Sequence, residues 1–152
     1  MNFQVIGIRG DTGFDDIVSH FTSMGGDVIL MDPDMVVGKD HVISAAIHAE
    51  RSFSEGTNRS KTLLTEIILY TAWERQISKA ISKMKPKTGR NEYIALLIDI
   101  DDPQLDRIDM TMDDSLLECS DEKAERLGLT KSRISYIDQA IENVALVELL
   151  KV

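Results

Sequence analysis

Tyr93-Ile94-Ala95-Leu96-Leu97-Ile98 is an unbroken apolar run, closed by Asn91-Glu92 on one side and Asp99 on the other. A strand with one wet face would alternate polar and apolar residues, so the run predicts a central strand buried on both faces. Such a strand needs neighbours and covering layers. With 152 residues, 43% of them hydrophobic, the chain can build these without disulfides or metals, as one α/β domain over residues 1–152.

The remaining pattern supplies the layers. Phe3 to Ile8 predicts a first strand; Phe14, Ile17, Val18 and Phe21 recur at helical spacing, and Gly25-Gly26 ends that helix. Val28-Ile29-Leu30-Met31 predicts a short strand closed by Asp32-Pro33-Asp34. Asp40 is placed to cap a helix through Phe53, with Val42, Ala45, Ala46, Ala49 and Phe53 inward and Gly56 beyond its end. Leu63, Ile67, Tyr70, Ile77, Ile81 and Met84 predict one long helix from about residue 61 to 84, stopped by Pro86 and Gly89. An acidic stretch, Asp99 to Asp114, and helical material from about Ser120 complete the chain. No apolar stretch is long enough for a membrane span, and Met1-Asn2-Phe3-Gln4-Val5 lacks the features of a signal peptide, so a cytoplasmic location is expected.

Catalytic patterns are weak. Gly7-Ile8-Arg9-Gly10-Asp11-Thr12-Gly13 lies between a strand and a helix, but it matches neither nucleotide-binding spacing, and Asp11, Asp15 and Asp16 oppose a phosphate. It reads as a structural turn. The Asp99–Asp114 carboxylates could suggest a calcium loop, yet Pro103 stands at the fifth position and no Gly at the sixth. His41 and His48 share a helix face but lie seven residues, or about 10 Å, apart, too far to clamp one metal. Cys119 is the only cysteine, which rules out an internal disulfide or a multi-cysteine zinc site. The expectation is a chain without a catalytic site, metal or cofactor of its own.

Charge is more informative. The net charge is −9, yet residues 58–90 carry Arg59, Lys61, Arg75, Lys79, Lys83, Lys85, Lys87 and Arg90 against only Glu66 and Glu74. On a continuous helix with Ile67 at zero, Lys61, Arg75, Lys79 and Lys83 fall between about 80° and 160°, on one acid-free side. Glu74 falls on the apolar stripe, where a carboxylate needs a partner. A basic helix face is either a solvated surface or a phosphate-binding one, and the concentration of charge here keeps both readings open. At the C-terminus, Val144 and Val147 form one seam while Leu146, Leu149 and Leu150 form an adjoining stripe.

Gly38-Lys39-Asp40-His41-Val42 with Ala45 and Ala49, then Leu64 and Glu66-Ile67-Ile68-Leu69-Tyr70, then Glu74-Arg75-Gln76-Ile77 with Ala80-Ile81, and the closing Val144-Ala145-Leu146-Val147-Glu148-Leu149-Leu150 resemble the smallest core subunit of the KEOPS (EKC) complex, the PRPK-binding protein family. One position departs from the family: Trp73 stands where a small residue, commonly Gly, is usual.

The resemblance implies a small mixed β-sheet flanked by helices. It also implies a non-catalytic subunit that docks on a small atypical kinase/ATPase and recruits tRNA by its 3′ CCA end, while other chains make threonylcarbamoyladenosine. On this reading Arg59, Lys61, Arg75, Lys79 and Lys83 are the candidate tRNA contacts, with Tyr70, Trp73 and His41 as candidates to stack on unpaired bases. Val144, Leu146, Val147 and Leu149 are the candidate kinase contacts, with Leu146 and Leu149 as anchors. A regulator that binds only the kinase is the alternative. An enzyme with a small ligand near His41 and Glu74 is a third reading.

Overall fold

The computed structural model describes residues 1–151. They form two compact units, each built from separated parts of the chain. The first comprises Met1–Pro33 and Lys85–Glu118; the second comprises Asp34–Met84 and the chain from Cys119 onward.

The first unit holds a four-stranded sheet in the order β2-β3-β1-β4, made of β1 (Phe3–Arg9), β2 (Asp27–Met31), β3 (Glu92–Ile98) and β4 (Thr111–Met112). β3 lies between β2 and β1, and every residue from Tyr93 to Ile98 is buried, as the unbroken apolar run predicts. Its register pairs Leu96 with Val5 on one side and with Ile29 on the other. All pairings are antiparallel, a narrower arrangement within the expected α/β class than a mixed sheet. Because side chains alternate along a strand, Ile6, Ile8, Val28, Leu30, Tyr93, Ala95 and Leu97 face one way. Ile17 and Phe21 of helix α1 (Phe14–Thr22) pack on them. Val5, Ile29, Met31, Ile94 and Leu96 point oppositely and are buried as well.

The acidic segment is ordered by this unit. Asp113 N donates to Gly7 O at 2.7 Å, and Gly7 N donates to Asp114 Oδ1 at 3.0 Å. A Cβ on Gly7 would stand 2.1 Å from the Asp113 carbonyl oxygen, so the contact requires glycine. Gly7 therefore lies within β1, not in the turn, with the Asp113 backbone packed directly against it. The cleft of about 850 Å³ beside Gly10 to Thr12 is bordered by Arg9, Asp11, Arg90 and Asp109. Arg9 pairs with Glu92 and Asp113, and Arg90 with Glu92.

The second unit is helical. Helix α2 (Lys39–Glu55) is capped at Gly38, two residues before the expected cap, which leaves Asp40 in its first turn, where a carboxylate favours the helix dipole. Gly56 ends it in the left-handed conformation at φ 72°. Helix α3 (Leu63–Ala72) begins at Thr62, whose hydroxyl accepts from Thr65 N. The helix expected to run to residue 84 stops here. Trp73 takes the left-handed conformation at φ 58°, Trp73 N donates to Tyr70 O, Glu74 N donates to Leu69 O, and the chain re-enters a helix only as α4 (Ile77–Met84).

Helices α5 (Asp121–Arg126) and α6 (Tyr136–Leu150) follow, each capped by a serine hydroxyl, Ser120 and Ser135. α2 packs on α3 and α6, and α3 packs on α4 and α6. Among the described residues, no helix is long and apolar enough to cross a membrane.

Candidate functional site

The break at Trp73 reorganises the expected basic face. Arg59 lies in the connection after α2, Lys61 just before α3, Arg75 in the turn after Trp73, and Lys79 and Lys83 on α4. Arg59, Lys61, Arg75 and Lys79 are exposed, but not as one face of a continuous helix. Lys83 differs from them. Its Nζ donates to the Ala72 carbonyl at 2.7 Å and sits 4.8 Å from the centre of the Trp73 ring. It thus satisfies a carbonyl that the end of α3 leaves open, and covers an aromatic face. Burial lowers its pKa, with Glu74 pulling the other way.

Glu74 is half-buried beside this turn, not in the core position that the continuous helix would have given it. Glu66, one α3 turn before Tyr70, is a wholly buried carboxylate. Its Oε1 accepts from Ser60 N at 2.9 Å and Arg59 N at 3.1 Å. Its Oε2 accepts from Ser52 Oγ at 2.8 Å and Lys151 Nζ at 2.7 Å. Burial pushes the Glu66 carboxyl up, but the bonds from Lys151, Ser60, Ser52 and Arg59 outweigh it and hold the group below its ordinary value.

The same Lys151 ammonium donates to Tyr70 Oη at 2.9 Å, and His48 stacks on the Tyr70 ring with centroids 5.6 Å apart. His48 Nδ1 lies 3.4 Å from Glu148 Oε1. Burial first, then the Glu148 carboxylate, raise the Tyr70 phenol above its ordinary pKa. One cluster thereby joins α2 (His48, Ser52), the connection after it (Arg59, Ser60), α3 (Glu66, Tyr70) and the end of α6 (Glu148, Lys151). Arg59 adds a second tie, its Nη1 donating to the Lys151 carbonyl at 2.9 Å.

His41 is fixed by backbone on both sides. Its Nδ1 accepts from Val37 N at 3.2 Å, which leaves the proton on Nε2 to donate to Thr71 O at 2.9 Å. Burial lowers its pKa to about 4, aided by Lys83 and Lys123 and opposed by the bond to Thr71. Its ring packs 5.1 Å from that of Trp73. His41 and Tyr70 are wholly buried, so of the three candidates for base stacking only Trp73 keeps partial exposure.

On α6 the two apolar stripes separate cleanly. Val144 and Val147 are wholly buried, whereas Leu146, Leu149 and Leu150 are 50%, 71% and 44% exposed. Val144 and Val147 therefore serve the packing of α6, and the apolar surface presented outward is the leucine stripe. Leu150 and Lys151 extend the candidate set; Leu150 is legible from helical spacing, while Lys151 is found only once the chain is folded.

The sequence profile of the family described as kinase binding protein CGI-121 matches residues 16–139. No curated protein matches the chain significantly.

Proposed function

Because the chain belongs to the kinase binding protein CGI-121 family, the KEOPS/EKC family it resembles in sequence, we propose that it is a non-catalytic subunit that couples a kinase to tRNA. It acts in the cytoplasm as one small-subunit-like domain over residues 1–152. It docks on the small atypical kinase/ATPase subunit of KEOPS and recruits tRNA by the 3′ CCA end for threonylcarbamoyladenosine formation by other chains.

The observation that carries this reading is the leucine stripe on α6. Three leucines, Leu146, Leu149 and Leu150, beside valines that already fill the core seam, leave about half or more of their apolar surface open. Such a patch fits the centre of a protein interface. The nucleic-acid half rests on Arg59, Lys61, Arg75 and Lys79, exposed cations in a chain of net charge −9. Phosphate contacts of this kind carry affinity and salt dependence more than sequence choice.

The inward turn of Lys83 favours a second reading, a regulator that binds the kinase alone, since it removes one cation from the set. Titration of intact tRNA into the isolated protein at several salt concentrations separates the two. Binding that weakens steeply with salt supports the coupling role, and absence of binding at low salt leaves only the kinase-binding role.

A further inference from the structure

Arg59 is one of the exposed cations and also contacts the residue that closes the helix carrying the leucine stripe. Its backbone N–H is held by Glu66, at 3.1 Å from Oε1 and 3.2 Å from Oε2. Its guanidinium reaches the carbonyl of Lys151, the residue that closes α6, through Nη1 at 2.9 Å. The side chain of that residue returns to Glu66 at 2.7 Å. Arg59, Glu66 and Lys151 thus close a loop of contacts in which the position of the guanidinium depends on the position of the last turn of α6.

A guanidinium has five N–H donors in a rigid fork, and one bond from Nη1 leaves the opposite edge able to take a phosphate in two parallel bonds. An exposed arginine otherwise loses considerable rotamer freedom when it binds. A partner that immobilises α6 would remove part of that loss beforehand.

We propose that Arg59 is the residue through which kinase docking and tRNA binding reinforce one another: docking on α6 fixes the Lys151 carbonyl, which presents the Arg59 guanidinium to a tRNA phosphate. The proposal rests on the kinase and tRNA roles described above. By linkage the effect is reciprocal, so bound tRNA tightens kinase docking by the same factor. A single partly exposed hydrogen bond of this type corresponds to a factor of about three to ten.

The experiment measures tRNA affinity of the full chain with and without saturating kinase subunit, in the wild type, Arg59→Ala and Arg59→Lys. Arg59→Lys keeps the charge but has no fork to span carbonyl and phosphate together. In the wild type, the kinase is expected to tighten tRNA binding at least threefold more than it does in either variant. Kinase affinity measured with and without tRNA is expected to change by the same factor. An enhancement of equal size in all three proteins would assign it to direct contacts between kinase and tRNA and overturn the proposal. Both partners binding the wild type with no mutual effect would also overturn it, while leaving the coupling subunit's two binding roles intact. A wild type that binds no tRNA overturns both.

Discussion

Lys151 Nζ and Glu66 Oε2 lie 2.7 Å apart across a sequence separation of 85 residues, and both side chains are buried. Together with the Lys151 bond to Tyr70 Oη, the pair ties the residue that closes α6 to α3, and it satisfies a carboxylate that α3 would otherwise bury with only backbone and hydroxyl donors. Removing one member of a buried pair leaves the other uncompensated, which costs more than the pair contributes over an apolar substitute. Lys151→Met is therefore expected to lower stability by roughly 3 kcal/mol, read as a lower denaturant midpoint with an unchanged slope. Combining it with Glu66→Gln should cost less than the sum of the two single changes, which a double-mutant cycle measures directly.

Acid sensitivity should appear in two windows. His41 is neutral in the fold, with a pKa lowered from its ordinary 6.5 to about 4, so between those values the unfolded chain binds a proton that the folded chain does not. Stability is full above about pH 6.5 and falls as pH drops toward 4, by on the order of 3 kcal/mol. Glu66, held below its ordinary 4.5, contributes stability above that value which is lost as pH falls further, through its folded pKa. Chemical denaturation from pH 7 to 4 tests the first window. A His41→Gln chain should be less stable at pH 7 and show a flatter decline across it. Proton NMR of His41 at pH 5.5 should still report the neutral ring.

Trp73 occupies a left-handed helix end at φ 58°, a conformation that favours glycine. Its ring compensates by packing on His41 and under Lys83. Both Trp73→Ala and Trp73→Gly lose that packing, but only Ala keeps the steric cost of the left-handed backbone. Trp73→Gly is expected to be the more stable of the two by about 1 kcal/mol, the reverse of the order in a helix interior. Thermal or denaturant unfolding of the pair decides it.

The same turn explains where sequence reasoning reached and where it stopped. β3 was legible because an unbroken apolar run only six residues long, bounded by polar residues, fits a strand covered on both faces better than a buried helix. The two stripes of α6 were legible because 100° steps hold within a single helix. Residues 61–84 satisfy the same apolar period on both sides of Trp73, so periodicity carried one helix through a stop that tryptophan does not advertise. The available sign was the departure within the resemblance, Trp73 where a small residue is expected. Once the helix is continued wrongly, Glu74 rotates onto the core stripe and Lys83 onto the basic face. The buried, paired role of Glu66 was not legible because its partner, Lys151, is brought to it only by the packing of α6 on α3. The two residues of β4 were too few to show a pattern against the acidic stretch around them.

Lys79 and Lys83 should now behave differently. Lys79→Glu is expected to leave stability within about 0.5 kcal/mol of wild type. It should also weaken tRNA binding and reduce the slope of log affinity against log salt by about 0.7 for the lost single-strand contact. Lys83→Ala opens the Ala72 carbonyl and the Trp73 face, and is expected to cost about 1–2 kcal/mol of stability. Filter-binding salt titrations alongside denaturant melts distinguish a cation that meets phosphate from one that closes a helix.

The leucine stripe gives the sharpest separation of packing from docking, because neighbouring positions on one helix have opposite burial. Leu146 is half exposed and Val147 is wholly buried. An arginine at 146 can extend into solvent in the free subunit, so Leu146→Arg should fold with near-normal stability. In a complex the same charge would be desolvated at the centre of the apolar contact, and association with the kinase should weaken at least a hundredfold, equivalent to about 2.7 kcal/mol. Leu149→Arg, at the most exposed leucine, should act alike. Val147→Arg has no route to solvent and should unfold the chain instead. Circular dichroism and kinase affinity measured on all three variants test the assignment. A Leu146→Arg chain that is folded and still binds the kinase normally would remove that side chain from the interface.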